Sequence, residues 1–133
     1  MTILITGSRS YQNKELLEKT LTEMIGKEER VTIAHGGAKG ADQLANQIAR
    51  ERGYETKVIK PNYEKYGSKA APLKRNTELV KTADCILAAY GAGRDRKGGT
   101  WDTAQKALAA NKLLVEIMSD GTVRKTTPQP TLF

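Results

Sequence analysis

The chain has one cysteine, one histidine and four prolines among 133 residues, and aromatic side chains make up 5% of it. A single cysteine excludes an internal disulfide and cannot by itself build a structural metal site. Cys85 opens the apolar run Cys85-Ile86-Leu87-Ala88, where it reads as a small core residue on a buried strand. No apolar run approaches the length that crosses a bilayer. Met1-Thr2-Ile3-Leu4-Ile5 also lacks the basic region and long apolar stretch of a secretory leader, so the expectation is a soluble, cytoplasmic chain with no membrane partner. The absence of G-x-x-x-x-G-K-[ST] excludes a P-loop NTPase. The absence of G-x-G-x-x-G after the first strand argues against ordinary dehydrogenase use of NAD. Neither a nucleophile elbow nor a His/Cys cluster with ligand spacing is present, so no metal is expected and no cofactor is required.

Positive charge is what the chain has in excess: 22 Lys and Arg against 15 Asp and Glu, a formal net charge of +7. Such a balance favours anionic partners, nucleotides or nucleic acid, and says nothing of fold. Along the first helix Lys14, Lys19 and Lys27 alternate with Glu15, Glu18 and Glu23, the pattern of a solvated face. The remainder, Lys60, Lys65, Lys69, Lys74, Arg75, Arg94, Arg96 and Lys97, lies in or beside segments that follow strands and is expected near a site.

Periodicity supplies the architecture. Ile3–Ile5, Val31–Ala34, Thr56–Ile59, Cys85–Ala88 and Leu113–Ile117 read as strands, and Lys14–Ile25, Ala41–Arg52, Ala71–Thr82 and Thr103–Asn111 as helices. Strict alternation implies an α/β, Rossmann-like three-layer α/β/α fold with a mainly parallel five-stranded sheet in the order 3-2-1-4-5, whose ligands sit at the carboxyl ends of the strands. Pro72 is expected near the start of its helix and Gly53 as a C-cap. Residues 1–125 form one domain on this reading, with a short strand or hairpin at Thr122–Lys125, followed by a proline-rich tail over 126–133 that is extended or loose.

Four segments carry the chemistry, and all fall on one sheet edge. His35-Gly36-Gly37-Ala38-Lys39-Gly40-Ala41-Asp42 joins the second strand to the second helix, where glycines admit a ligand to backbone amides and a positive helix end. This is the physics of a phosphate seat, or of a tight glycine turn. We assign Gly36, Gly37, Lys39 and Gly40 to one phosphate, with Asp42 serving the helix dipole or receiving a ribose hydroxyl. Gly7, Ser8 and Arg9 follow the first strand and offer a hydroxyl and a guanidinium fork. Gly98, Gly99 and Thr100 precede the fourth helix and suit a second phosphate or ribose, with Thr100 as N-cap. His35 has no partner at a catalytic spacing and reads as a strand-end residue.

In this order the motifs, with Pro72, Arg75-Asn76 and Ala104, resemble the SLOG superfamily, and within it the small stand-alone YspA/YpsA-related branch (DUF2493-like). The resemblance runs from Ile3 to about Val115. It implies a Rossmann-like domain that binds a nucleoside phosphate, NAD or an ADP-ribose derivative as sensor, carrier or sequestering protein, and a homo-oligomer that completes its site. It also implies that Arg75 binds charge and Asn76 a sugar or base edge. LOG-type phosphoribohydrolases, which cleave nucleoside 5'-monophosphates, share the glycine pair, but Thr103 stands where their glutamate would be. Asp102 and Arg75 are then the candidates for catalysis, and without the glutamate the protein reads as a binder rather than an enzyme. The core of DNA-processing protein A also has the G-S-R turn and R-N pair. It suggests a single-stranded DNA groove with Tyr63, Tyr66 and Trp101 as stacking faces.

Overall fold

A computed structural model describes residues 1–130; the last three positions of the expected tail lie outside the described residues. Six strands, β1 (Thr2–Gly7), β2 (Thr32–His35), β3 (Glu55–Val58), β4 (Cys85–Ala89), β5 (Leu113–Ile117) and β6 (Val123–Thr126), make one sheet in the order β3-β2-β1-β4-β5-β6. The first five are mutually parallel, as expected, and β6 adds to β5 antiparallel. Every side chain of β6 is exposed, so no apolar alternation marks it; the turn from Met118 to Thr122, with Gly121 at φ +87°, holds it in place. The tail beyond β6 is tied down at one point, where Asn111 exchanges hydrogen bonds with the backbone of Gln129.

Four helices, α1 (Lys14–Ile25), α2 (Ala41–Arg52), α3 (Tyr63–Thr82) and α4 (Gly98–Ala109), cover the sheet. Strand side chains alternate between two cores. Ile3, Ile5 and Leu87 pack with Leu17, Leu21 and Ile48 of α1 and α2, whereas Leu4, Ile86 and Ala88 pack with Leu79, Val80, Ala104 and Ala107 of α3 and α4. The cysteine lies in the first core, and burial pushes its thiol up to about 11, consistent with an inert packing residue. At the free edge, β3 is exposed along its length and carries Glu55 and Lys57. Charge there discourages strand addition.

The first two helices have the expected bounds, and Gly53 closes α2 in the left-handed conformation. The other two begin earlier than their patterns indicate. Asn62 caps α3 at Tyr63, and the chain breaks its helical course at Gly67 (φ 80°, ψ 175°), so Pro72 lies near the start of the helical run that resumes at Ser68. The fourth starts at Gly98, which makes Thr100 a buried first-turn residue; Lys97, not Thr100, occupies the N-cap position. Among the described residues no helix is long and apolar enough to cross a membrane.

The sheet edge is closed by contact between backbones. A Cβ on Gly7 would overlap that of Ala41 and stand 2.7 Å from the carbonyl oxygen of Ala89. Gly7→Ala is therefore expected to destabilise the fold by about 1–3 kcal/mol, the usual cost of overpacking. Urea denaturation followed by circular dichroism checks it.

Candidate functional site

The loops after β1 and β4, the start of α2 and the middle of α3 enclose a cavity of about 580 Å³ at the carboxyl end of the sheet. That is the size range of small-molecule sites, and it lies between β1 and β4, where the winding reverses. Its lining holds five cations, Arg9, Lys69, Arg75, Arg94 and Lys97, and one carboxylate, Asp42. The helix termini sharpen this polarity. In α1 and α3 an asparagine side chain caps the N-terminus, Asn13 accepting from the Leu16 amide and Asn62 from that of Lys65. The two helices whose first turns border the cavity, α2 and α4, have no side-chain cap, with Gly40 and Lys97 in the cap positions. The amide end of α4 has no acidic residue in its first turn and presents positive potential, whereas that of α2 carries Asp42 there.

The glycine-rich loop is folded around Asp42. Its Oδ2 accepts from the amides of Gly36 (3.2 Å) and Ala38 (3.0 Å), and the Gly37 amide donates to His35 Nδ1 (3.0 Å). Three loop amides, those of Gly36, Gly37 and Ala38, thus have internal acceptors. Burial raises the Asp42 pKa, against the pull of the Ala38 amide, His35, Arg75 and the Gly36 amide. The glycines serve close packing: a Cβ on Gly40 would strike the Ser8 and Arg9 carbonyls, and one on Gly36 would strike the Arg75 guanidinium.

Arg75 links three segments. Its Nη1 donates to the Gly36 carbonyl (3.0 Å) and its Nε to Asn76 Oδ1 (2.9 Å); Asn76 Nδ2 in turn donates to Asp102 Oδ2 (3.1 Å). Lys106 completes the chain with 2.8 Å bonds to the same carboxylate oxygen and to the Leu73 carbonyl. The buried Asn76 is thereby held by internal partners on both sides of its amide.

The basic loop after β4 is held from its far side. Arg96, in the left-handed region at φ 53°, lies over the Trp101 ring (5.6 Å) and 3.8 Å from the buried Glu116, which accepts from the Tyr90 hydroxyl (2.8 Å). Asp95 accepts from the amide and hydroxyl of Ser119. These anchors leave Arg94 and Lys97 on the cavity side, without ion-pair partners among the described residues.

Of the residues singled out by sequence, Gly7, Ser8, Arg9, Asp42, Arg75, Asn76, Gly99 and Thr100 line the cavity. Gly36, Gly37, Lys39, Gly40, Gly98 and Asp102 do not. Lys39 is exposed and Gly98 makes room for the Arg94 guanidinium. Tyr63 and Tyr66 stand exposed on α3 outside the lining, Lys65 and Lys74 lying over the Tyr66 ring. Lys69, Arg94 and Lys97 were legible only as part of a diffuse positive group. Among the described residues no cluster of His, Cys, Asp or Glu is arranged to hold a metal.

A mostly parallel sheet with a cationic cavity at its switch point defines a Rossmann-like domain. The family model described as YspA, cpYpsA-related SLOG family matches residues 1–66, and the Gene 61 protein of Mycobacterium phage D29 is 31% identical over 98 residues, 69% of this chain and 78% of that one. The chain belongs to this YspA, cpYpsA-related SLOG family. Its fold is similar to DNA processing protein A from Helicobacter pylori, whose single-stranded DNA binding mode has been described (TM-score 0.65, 19% identity, 87% of this chain and 64% of that one). It is similar also to DNA processing protein A from Streptococcus pneumoniae (0.68, 16%, 86% and 49%) and to TM1055 (0.59, 21%, 85% and 71%). The chain thus spans less than two thirds of either DNA processing protein A chain.

The role of Asp42 separates by substitution. Asp42→Ala removes the acceptor from two loop amides and is expected to cost about 1–3 kcal/mol. Asp42→Asn keeps an acceptor oxygen. Because the folded carboxyl titrates above its unfolded value of 3.8, the wild type holds its full contribution below that pH and loses it as pH rises through the raised pKa. Urea denaturation at pH 4 and pH 7 should therefore show Asp42→Asn gaining on the wild type at the higher pH.

Proposed function

We propose that the cavity binds a small nucleotide-derived ligand, a nucleoside phosphate or an ADP-ribose-type molecule, through its phosphates, and that the protein acts as sensor, carrier or sequestering protein. The observation that carries this reading is the pairing of two uncapped helix N-termini, α2 and α4, with five cations around one cavity. Helix amide ends and charge-assisted side-chain bonds are a general solution to phosphate binding. In this reading Ser8, Arg9, Gly99 and Thr100 contact the ligand directly, and Asn76 acts by fixing Arg75.

The placement of the carboxylates supports binding without hydrolysis in this reading. Asp42 is the one carboxylate in the lining and already accepts two amides. Asp102 lies outside the lining with its Oδ2 shared between Asn76 and Lys106, and the Thr103 hydroxyl donates to the Gly99 carbonyl. Glycosidic cleavage needs a carboxylate free to act on water or the developing oxocarbenium charge, and these carboxylates are engaged by internal donors. A second reading, a single-stranded nucleic acid with its phosphates in the same cavity, is favoured by one feature, the exposed Tyr66 ring with Lys65 and Lys74 over it.

Native mass spectrometry of purified protein, followed by calorimetric titration with ADP and ADP-ribose, tests the reading. Arg94→Ala and Lys97→Ala are each expected to weaken phosphate-bearing ligands by about 1.5–3 kcal/mol while leaving thermal stability unchanged. Arg75→Ala should lower both affinity and stability, since it also releases Gly36 and Asn76. Unchanged affinity in the folded Arg94 and Lys97 variants would remove the cavity as the ligand site.

A further inference from the structure

The connection from β4 to α4 carries four consecutive charges, and they divide by side: Arg94 and Lys97 border the cavity, whereas Asp95 and Arg96 do not. The start of α4 is a poor seat for the two cavity-side cations. A Cβ on Gly98 would stand 2.7 Å from the Arg94 guanidinium, so that charge lies against the first residue of the helix. Lys97 holds the N-cap position, and no acidic residue follows in the first turn. Cations are unfavourable at the positive end of a helix. Without ion-pair partners among the described residues, Arg94 and Lys97 are driven outward by the helix end and by each other.

What opposes this drive lies on the β5 side of the loop. Asp95 accepts from both donors of Ser119, the amide at 2.7 Å and the hydroxyl at 2.8 Å. Arg96 adopts φ 53°, a left-handed conformation that a side chain of this size keeps only where its surroundings hold it. They do so through the Trp101 ring and through Glu116 Oε1 at 3.8 Å. Glu116 is itself out of place: it is 4% exposed on a strand whose other residues are leucine, valine and isoleucine, where a carboxylate costs stability rather than adding it. The Tyr90 hydroxyl, held protonated by burial and by this bond, donates to Oε2 at 2.8 Å and leaves Oε1 for Arg96. Neither Glu116 nor Ser119 borders the cavity.

We propose that Asp95 and Glu116 are positioning residues of the anion site, two carboxylates that raise its affinity for an anion by clamping the loop so that Arg94 and Lys97 stay at the first turn of α4. The inference rests on the phosphate reading of the cavity. It reverses the ordinary expectation from charge. Removing a carboxylate near an anion site strengthens binding through the field alone. Here its removal releases the loop with its two cations, and binding weakens. The clamp also makes ligand affinity depend on the turn after β5, which supplies Ser119 and lies outside the cavity lining.

Calorimetric titration of the full chain with ADP and with ADP-ribose tests this in Asp95→Ala and Glu116→Gln, with Asp120→Ala as the control. Asp120 lies in the same turn and accepts from the Thr122 amide, so its loss removes one negative charge and one turn hydrogen bond without touching the loop. Both clamp variants should bind about fivefold or more weakly than the wild type, and the control as tightly or more so. In an Arg94→Ala background the loss should shrink, because part of it runs through that side chain. Asp95→Ala alters an exposed position and decides the matter even where Glu116→Gln fails to fold. Unchanged or tighter binding in Asp95→Ala overturns the clamp while the cavity reading stands. So does a loss that Asp120→Ala shares, or one equally large without Arg94, the mark of a general structural effect. If the wild type binds neither ligand, the cavity reading falls and the clamp falls with it.

Discussion

The site depends on one crossing of backbones. The loop entering α2 passes over the end of β1 so closely that Gly40 faces the Ser8 and Arg9 carbonyls and Gly7 faces Ala41, with no room for a Cβ on either glycine. This contact brings the first turn of α2 beside the turn after β1 and makes the switch point a walled cavity rather than an open edge. The same crossing buries Asp42, whose carboxylate then gathers the Gly36 and Ala38 amides and fixes the loop from within. An internal carboxylate thereby does for this loop what a bound phosphate does for a conventional glycine nest.

Strand order and layering were legible because they follow from alternation and from the handedness of crossovers, which short apolar runs such as Ile3–Ile5 and Cys85–Ala88 declare directly. Helix beginnings were less so. The pattern of α3 is interrupted by Gly67 and Pro72, and the start of α4 is built from glycine, so neither shows a periodic apolar face until its second half. Strand β6 carries no buried side chain and exists through main-chain pairing with β5 alone.

Within the site, sequence located the loops but not the direction of their hydrogen bonds. A glycine-rich turn followed by aspartate is compatible with amides aimed outward at a ligand or inward at that aspartate, and the packing of α2 against β1 turns those of Gly36 and Ala38 inward. Arg75 and Asn76 were found as a pair, yet their division of labour depends on Gly36 and Asp102, which lie 39 and 26 residues away along the chain from Arg75 and Asn76 respectively. Local pattern has no access to such partners.

With the Gly36, Gly37 and Ala38 amides committed to Asp42 and His35, the proposed anion site draws mainly on helix ends and side chains. The helix ends are fixed by the sheet. Arg75 is tethered by the Gly36 carbonyl, and Arg94 and Lys97 ride on a loop that Arg96 and Asp95 fasten to Glu116 and Ser119. Ordering like charges around a cavity is unfavourable in the empty state, and an anion relieves that repulsion in proportion to its charge. Long cationic side chains adapt to many phosphate geometries, so a cavity of this kind distinguishes charge better than shape.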